Sequence, residues 1–242
     1  KTPKLIWAMQ SMCKVVVSSE SASQLCEQGG LEAALATLSS FTRQKHFTCR
    51  VMDLVGLVFS HLLVESSMVQ RRACEACSLA FNTFCSDKAT LLRVARALIS
   101  LSAHAPLAPV LVGDSLIGSL CTAYERHGRE HDLQELMGAV QSNISCSSSA
   151  CCEALVQEGG FAFAVSFAEH RPRKRTVASA AVSMAVQVLV GSSIALDRSH
   201  TALLGQVCGM ARAVLAKHGG GDGGNDGDRE ITSNVVRMLA AV

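Results

Sequence analysis

An all-α fold of stacked helical repeats is what this sequence predicts, and three observations predict it. The first is a phrase that occurs twice. Gln24-Leu25-Cys26-Glu27-Gln28-Gly29-Gly30-Leu31 returns as Ala154-Leu155-Val156-Gln157-Glu158-Gly159-Gly160-Phe161. Each copy is an apolar helix end, a Gly-Gly pair and a fresh apolar helix, and the two pairs lie about three periods of roughly 43 residues apart. The second is an independent repeat of Trp7-Ala8-Met9-Gln10-Ser11, Gly138-Ala139-Val140-Gln141-Ser142 and Met184-Ala185-Val186-Gln187-Val188. Looser matches stand at Leu57–His61 and Arg96–Ser100, and the mean step is again near 44. The third is composition: 49% hydrophobic residues with only 4% aromatic and four prolines call for a core of Ala, Val, Leu and Met. Such small side chains let helix axes approach closely.

Apolar spacing and its punctuation place the elements. A first helix spans about Leu5–Val17, with Ile6, Met9, Cys13 and Val16 on one face. Ala22–Glu27 is short and stops at Gly29-Gly30, where glycine permits a sharp turn. Leu31–Leu38 follows, then a turn at Phe41–Gln44 and a long helix to about Val64, apolar at Phe47, Val51, Leu54, Val55, Val58 and Leu62. The second unit pairs Met68–Phe84 with Ala89–His104, which starts after Ser86-Asp87 and ends before Pro106. The third has Leu107–Val112, a break at Gly113-Asp114, Ser115–Tyr124 and Asp132–Ile144. The fourth has Ala150–Gln157, Phe161–Ala168 and Arg173–Val190; a partial fifth has Ser199–Lys217, a Gly/Asp loop, and Glu230 to the end. Repeat ends fall near residues 18, 64, 104, 144 and 191, so 1–242 is expected to be one repeat domain with partial terminal repeats. The lack of an initiator Met and the helical ending suggest an excerpt of a longer protein.

These residues resemble the armadillo repeat, a three-helix unit of about 40–47 residues. The resemblance implies a right-handed superhelix of about five repeats, with a glycine before each second helix at the positions of Gly30, Gly113 and Gly160. HEAT repeats are the near neighbour, and the Met68–His104 pair also reads that way. The resemblance further implies that third helices line a concave groove that takes extended peptides or partner proteins. The Trp positions of that groove read Trp7, Leu57, Arg96, Gly138 and Met184; the Asn positions read Ser11, His61, Ser100, Ser142 and Val188. The Trp/Asn ladder used for basic localisation peptides is therefore missing.

Helix geometry alone adds candidates. Arg50, Asp53 and His61 lie away from the Phe47–Val51–Leu54–Val58 stripe, and Arg93, Arg96 and Ser100 share a face. With Trp7, Ser11 and Ser142 they form the expected partner-binding set, each weighed against a plain solvated helix face.

Net charge of +2 gives no global field for nucleic acid or an anionic membrane. Eleven cysteines, odd in number and set within apolar helices, point to a reducing compartment, cytoplasm or nucleus, rather than to a disulfide framework. Thr176–Leu196 carries no charge and is long enough to span a bilayer, but Ser179, Ser183, Gln187 and Gly191-Ser192-Ser193 favour a buried repeat helix.

Motifs with chemical potential are few. His127-Gly128-Arg129-Glu130-His131 has the H-x-x-E-H spacing of inverted zinc peptidases, but Gly128 sits where the repeat predicts a turn, which would part the two imidazoles. Cys74-Glu75-Ala76-Cys77 lacks both a second ligand pair and the strand of a redox site, and Cys146, Cys151 and Cys152 read as helix-end thiols. The loop from Gly219 to Asp228 mimics a calcium loop from Asp222 but has Ser233 where the bidentate Glu belongs. Arg171, Arg173, Lys174 and Arg175 form a basic patch near a helix start, where the dipole disfavours cations. It could meet an acidic protein or nucleic acid, though no aromatics interleave to stack on bases. The expectation is a non-enzymatic scaffold for a protein or peptide, with no cofactor; the basic loop 170–175 is the alternative, and a zinc hydrolase at 127–131 the remote one.

Overall fold

A computed structural model describes residues 2–128, 130–162, 165, 168, 175–187, 189, 201–218 and 231–237. Among these there is no strand. The chain packs as two compact units, Lys1–Leu136 and Met137–Val242.

In the first unit α1 (Thr2–Val15), α2 (Ser19–Glu27), α3 (Gly30–Ser40) and α4 (Lys45–His61) are followed by α5 (Ser67–Thr83) and α6 (Lys88–Ser102). A 3-10 turn, Ala105–Leu107, leads into α7 (Ala108–Gly113) and α8 (Leu116–Arg126). α9 (His131–Ser145) crosses the boundary between units. Helix starts follow capping chemistry: the Ser18 hydroxyl accepts from the Ser21 amide while the Ser21 hydroxyl accepts from the Ser18 amide, a reciprocal box at the head of α2. Ser66 caps α5 in the simpler way.

The Gly-Gly phrases do what their composition requires. Gly29 and Gly159 both adopt left-handed backbone, φ 72° and 81°. A Cβ on Gly30 would sit 2.5 Å from Leu25 Cδ1 and 3.1 Å from the Leu25 carbonyl oxygen, so a larger residue there would force the Leu25 side chain to shift. In the third repeat the sequence points to Gly113, but the turn is built differently. Gly113 ends α7, and Ser115 takes the left-handed conformation (φ 57°) before α8. Ser115 stands two periods of 43 beyond Gly29 and is its true counterpart. A Cβ in that region costs on the order of 1 kcal/mol, so Ser115→Gly is expected to raise stability by about that much. A urea midpoint that does not rise, at unchanged slope, would count against this account.

The core lies between the third helices and the helices behind them. α4 packs most extensively on α6 and next on α1. α4 buries Phe47, Thr48, Val51, Met52, Leu54, Val55, Val58 and Phe59; α6 buries Thr90, Leu91, Val94, Ala95, Ala97, Leu98, Leu101 and Ser102. Every member of the second set is 43 positions beyond its counterpart, and α9 continues the series with Leu133, Gln134, Met137, Val140, Gln141, Ile144 and Ser145. Leu57 therefore corresponds to Ser100, not to Arg96, and the sequence alignment of these helices is one turn out. Gly56 lies against Ala97, its absent Cβ 3.4 Å from the Ala97 Cα.

Two polar clasps repeat with the same period. Lys45 pairs with Asp87 at 2.8 Å, and Lys88 pairs with Glu130. The hydrogen bond from Lys45, helped by one from Thr90, holds the Asp87 carboxyl below its ordinary range. Two histidines join successive repeats through backbone: His104 Nε2 donates to the Phe59 carbonyl at 2.7 Å and His127 Nε2 to the Cys85 carbonyl at 2.8 Å.

In the second unit, α10 (Ser149–Gln157) is capped by Ser148 and buries Cys151, Cys152 and Leu155. Helical residues 160–162, 165 and 168 follow, then α11 (Arg175–Val186), α12 (Thr201–His218) and a helical segment at 231–237. α11 buries Ala178, Ala181, Val182, Met184, Ala185 and Val186. No single described helix is long and apolar enough to cross a membrane.

Candidate partner-binding face

The burial pattern leaves one strip of each third helix in solvent. On α1 the strip holds Trp7, 71% exposed, with Ser11 and Lys14; on α4 it holds Arg50, Asp53, Leu57 and His61; on α6 it holds Arg93, Arg96 and Ser100. Because α1, α4 and α6 pack side by side, the three strips form one continuous face of the first unit.

Three of its charges are tied together. Asp53 accepts from Arg93 Nη1 at 2.7 and 2.5 Å and from Arg50 Nη1 at 3.2 Å. The Asp53 hydrogen bonds push the Arg93 guanidinium up from its ordinary value. Arg50 and Arg93 are thus held in fixed poses by a single carboxylate, with a net positive balance. The Cys13 thiol donates to the Arg50 carbonyl at 3.7 Å, linking α1 to the same cluster, and burial pushes that thiol up to about 11. Arg96 and His61 are exposed, and Ser100 turns its hydroxyl back to the Arg96 carbonyl. Helix phase places Asp53 and Arg93 off the buried stripes; that they face each other from adjacent helices 40 residues apart it does not show.

Other sequence candidates lie elsewhere. Ser142 is half-buried on α9 in the second unit, one position short of the counterpart of Ser100. Met184, a Trp position in the sequence alignment, is fully buried, and Val188 lies outside the described residues. So do Arg171, Arg173 and Lys174 of the basic patch, while Arg175 is the first residue of α11. The glycine-rich loop 219–228 is also outside them.

The H-x-x-E-H residues are used by the fold. α8 ends at Arg126 and α9 starts at His131, so His127 and His131 sit on opposite sides of a turn. His127 and Glu130 spend their polar atoms on the Cys85 carbonyl and on Lys88. No group of three or more His, Cys, Asp or Glu among the described residues is placed to hold a metal. Cys74 and Cys77 are fully buried on α5; burial raises Cys74 to about 12 and holds Cys77 well above its ordinary value. The Cys77 thiol rests 3.6 Å from the Met52 sulfur, as a core side chain would. Burial and the neighbouring Cys151 raise Cys152 to about 11, and its thiol donates to the Ser145 carbonyl.

No protein-family model and no curated protein matches the chain. Solved structures do. An engineered protein aligns over 98% of this chain and 90% of its own, with a TM-score of 0.75 at 12% identity. A designed armadillo repeat protein aligns over 100% and 99%, at TM-score 0.70 and 12% identity. The chain has an armadillo-like repeat fold. A second designed armadillo repeat protein, solved in complex with the peptide (KR)4, aligns over 99% and 98% at TM-score 0.68, again 12% identical. In armadillo terms α2, α3 and α4 are the three helices of one repeat, and α7, α8 and α9 those of another. The repeat between them has two, because α5 runs unbroken through Arg72, the position where Gly29 and Ser115 turn the chain.

Proposed function

We propose that this chain is a non-enzymatic interaction scaffold that holds an extended segment of a partner protein along its third helices. The observation that carries this reading is the continuous face of α1, α4 and α6, with Trp7 and Leu57 as apolar contacts and a cationic balance around Asp53. Lys14, Arg50, Arg93 and Arg96 outnumber the one carboxylate, so the segment that fits bears acidic side chains. The (KR)4 peptide solved with the designed neighbour has the opposite charge, so a different ligand is expected here. The free cysteines suit a reducing compartment, the cytoplasm or nucleus.

A fluorescein-labelled peptide of alternating Glu and Leu, titrated by anisotropy, tests this on the whole chain. It is expected to bind more tightly than a Lys/Leu peptide of the same length at this face, with affinity falling as salt rises. Lys14→Glu with Arg96→Glu should weaken it at least tenfold and leave the melting temperature unchanged, since neither side chain is buried. Equal affinity in the double variant would overturn the reading.

A further inference from the structure

A second concave surface lies away from the third-helix face, between α2, α3 and the start of α5. A cavity of about 740 Å³ opens there, within the size range of ligand pockets. Its floor is apolar: Leu31, Val64 and Val69 are almost fully buried. Its polar lining has one sign. Glu20 and Glu27 come from the two ends of α2, Glu32 from α3 and Glu65 from the α4–α5 connection, and no basic residue lines it. Glu32 pairs with Arg72 at 3.2 Å, whereas Glu20, Glu27 and Glu65 have no cationic partner among the described residues. Large apolar side chains stand open beside it, Leu63 at 39% and Met68 at 51% exposure.

The surface continues beyond the Arg72–Glu32 pair. A smaller hollow of about 350 Å³ between α3 and α5 is lined by Leu35, Leu38, Ala76 and the half-exposed Leu79, with Arg72 on its wall. Leu31 belongs to the first hollow and Leu38 to the second. Seven residues of helix separate them, or about 10 Å. That is the distance between side chains at i and i+7 of a helix laid in the groove, the spacing by which amphipathic helices anchor.

We infer that this groove takes a basic amphipathic helix of a partner protein, two apolar side chains filling the hollows and Lys or Arg at one end meeting Glu20, Glu27 and Glu65. Apolar burial supplies most of the affinity and the carboxylates set the orientation and choice of partner. The occupant differs in charge and conformation from the acidic extended segment proposed for the third helices, so the two surfaces can fail separately.

The probe is a synthetic 14-residue helix with Leu at i, i+3 and i+7 and Lys on the flanks, titrated against the whole chain. Saturable binding is expected, weakened at least tenfold by Glu27→Gln with Glu65→Gln and unaffected by the Lys14→Glu, Arg96→Glu pair. Both glutamine changes are at exposed positions that the core does not use. Cys26 lines the cavity, so the bound helix should also slow its alkylation, read by mass spectrometry of its own peptide. Absence of saturable binding overturns the inference, as does equal binding of a scrambled Leu/Lys peptide, unchanged affinity in the glutamine variant, or unprotected Cys26. Loss of binding in the Lys14/Arg96 variant instead would move the site to the third-helix face.

Discussion

Phe47→Ala is expected to cost about 3–5 kcal/mol, among the largest losses from a single truncation in the first unit. Phe47 is fully buried at the start of α4, and its ring meets that of Phe41 edge-on with centroids 5.8 Å apart. Truncation removes the apolar area and leaves a hole bounded by helices that are themselves locked in the stack. Relaxation is limited, which puts the cost toward the upper part of the range. Phe41→Ala is the control: that ring is only half-buried, outside the helices, and should cost less than half as much. Urea unfolding of the two variants, compared at equal slope, measures the difference. A Phe47→Ala loss under about 1 kcal/mol would mean that this end of the stack is not cooperative with the rest.

Gly56→Leu should be nearly as damaging, on the order of 3 kcal/mol, and for the opposite reason. Among the described residues α4 and α6 make the most extensive helix contact, and Gly56 sits in it against the backbone of Ala97. A single methyl at 3.4 Å is ordinary contact, and alanine also gains up to about 1 kcal/mol of helix propensity. Gly56→Ala is therefore expected to be neutral or mildly stabilising. Three further carbons have no place to go except by pushing α4 from α6, which would also pull Arg93 off Asp53. The pair of variants separates packing from propensity: both should change helix preference in the same direction, and only one should unfold early. If Gly56→Leu melts with the parent, the two helices are not in the close register described.

These contacts show what the sequence could and could not carry. Helix positions were legible because each helix must bury one face, and Phe47, Val51, Leu54 and Val58 mark that face without reference to any neighbour. The Gly29 turn was legible because glycine advertises left-handed backbone. Ser115 does not, so the equivalent turn was assigned to Gly113. The one-turn slip between α4 and α6 has a similar origin. Leu57 and Arg96 have nearly the same helical phase, and only facing atoms, Gly56 on Ala97 and Asp53 on Arg93, separate a step of 39 from one of 43. Helix phase sets Arg50, Asp53, Arg93 and Arg96 off the buried stripes, but the Asp53–Arg93 pair joins residues from different helices. No periodicity within one helix encodes such a partner. The clasps are written in the sequence, since Lys45 and Lys88, and Asp87 and Glu130, recur at the same spacing.

Those clasps have a consequence for how such a chain can change length. Lys45 and Asp87 are the first and last residues of one period, and Lys88 and Glu130 those of the next. Each period is thus fastened to itself, start to finish, and a cut between residues 87 and 88 severs no clasp. The segment 45–87 behaves as a cassette: copied whole, it brings both halves of its own fastening, whereas its removal also takes Asp53 and Arg72, the partners of Arg93 and Glu32. Growth by whole units then adds complete clasps and opens none.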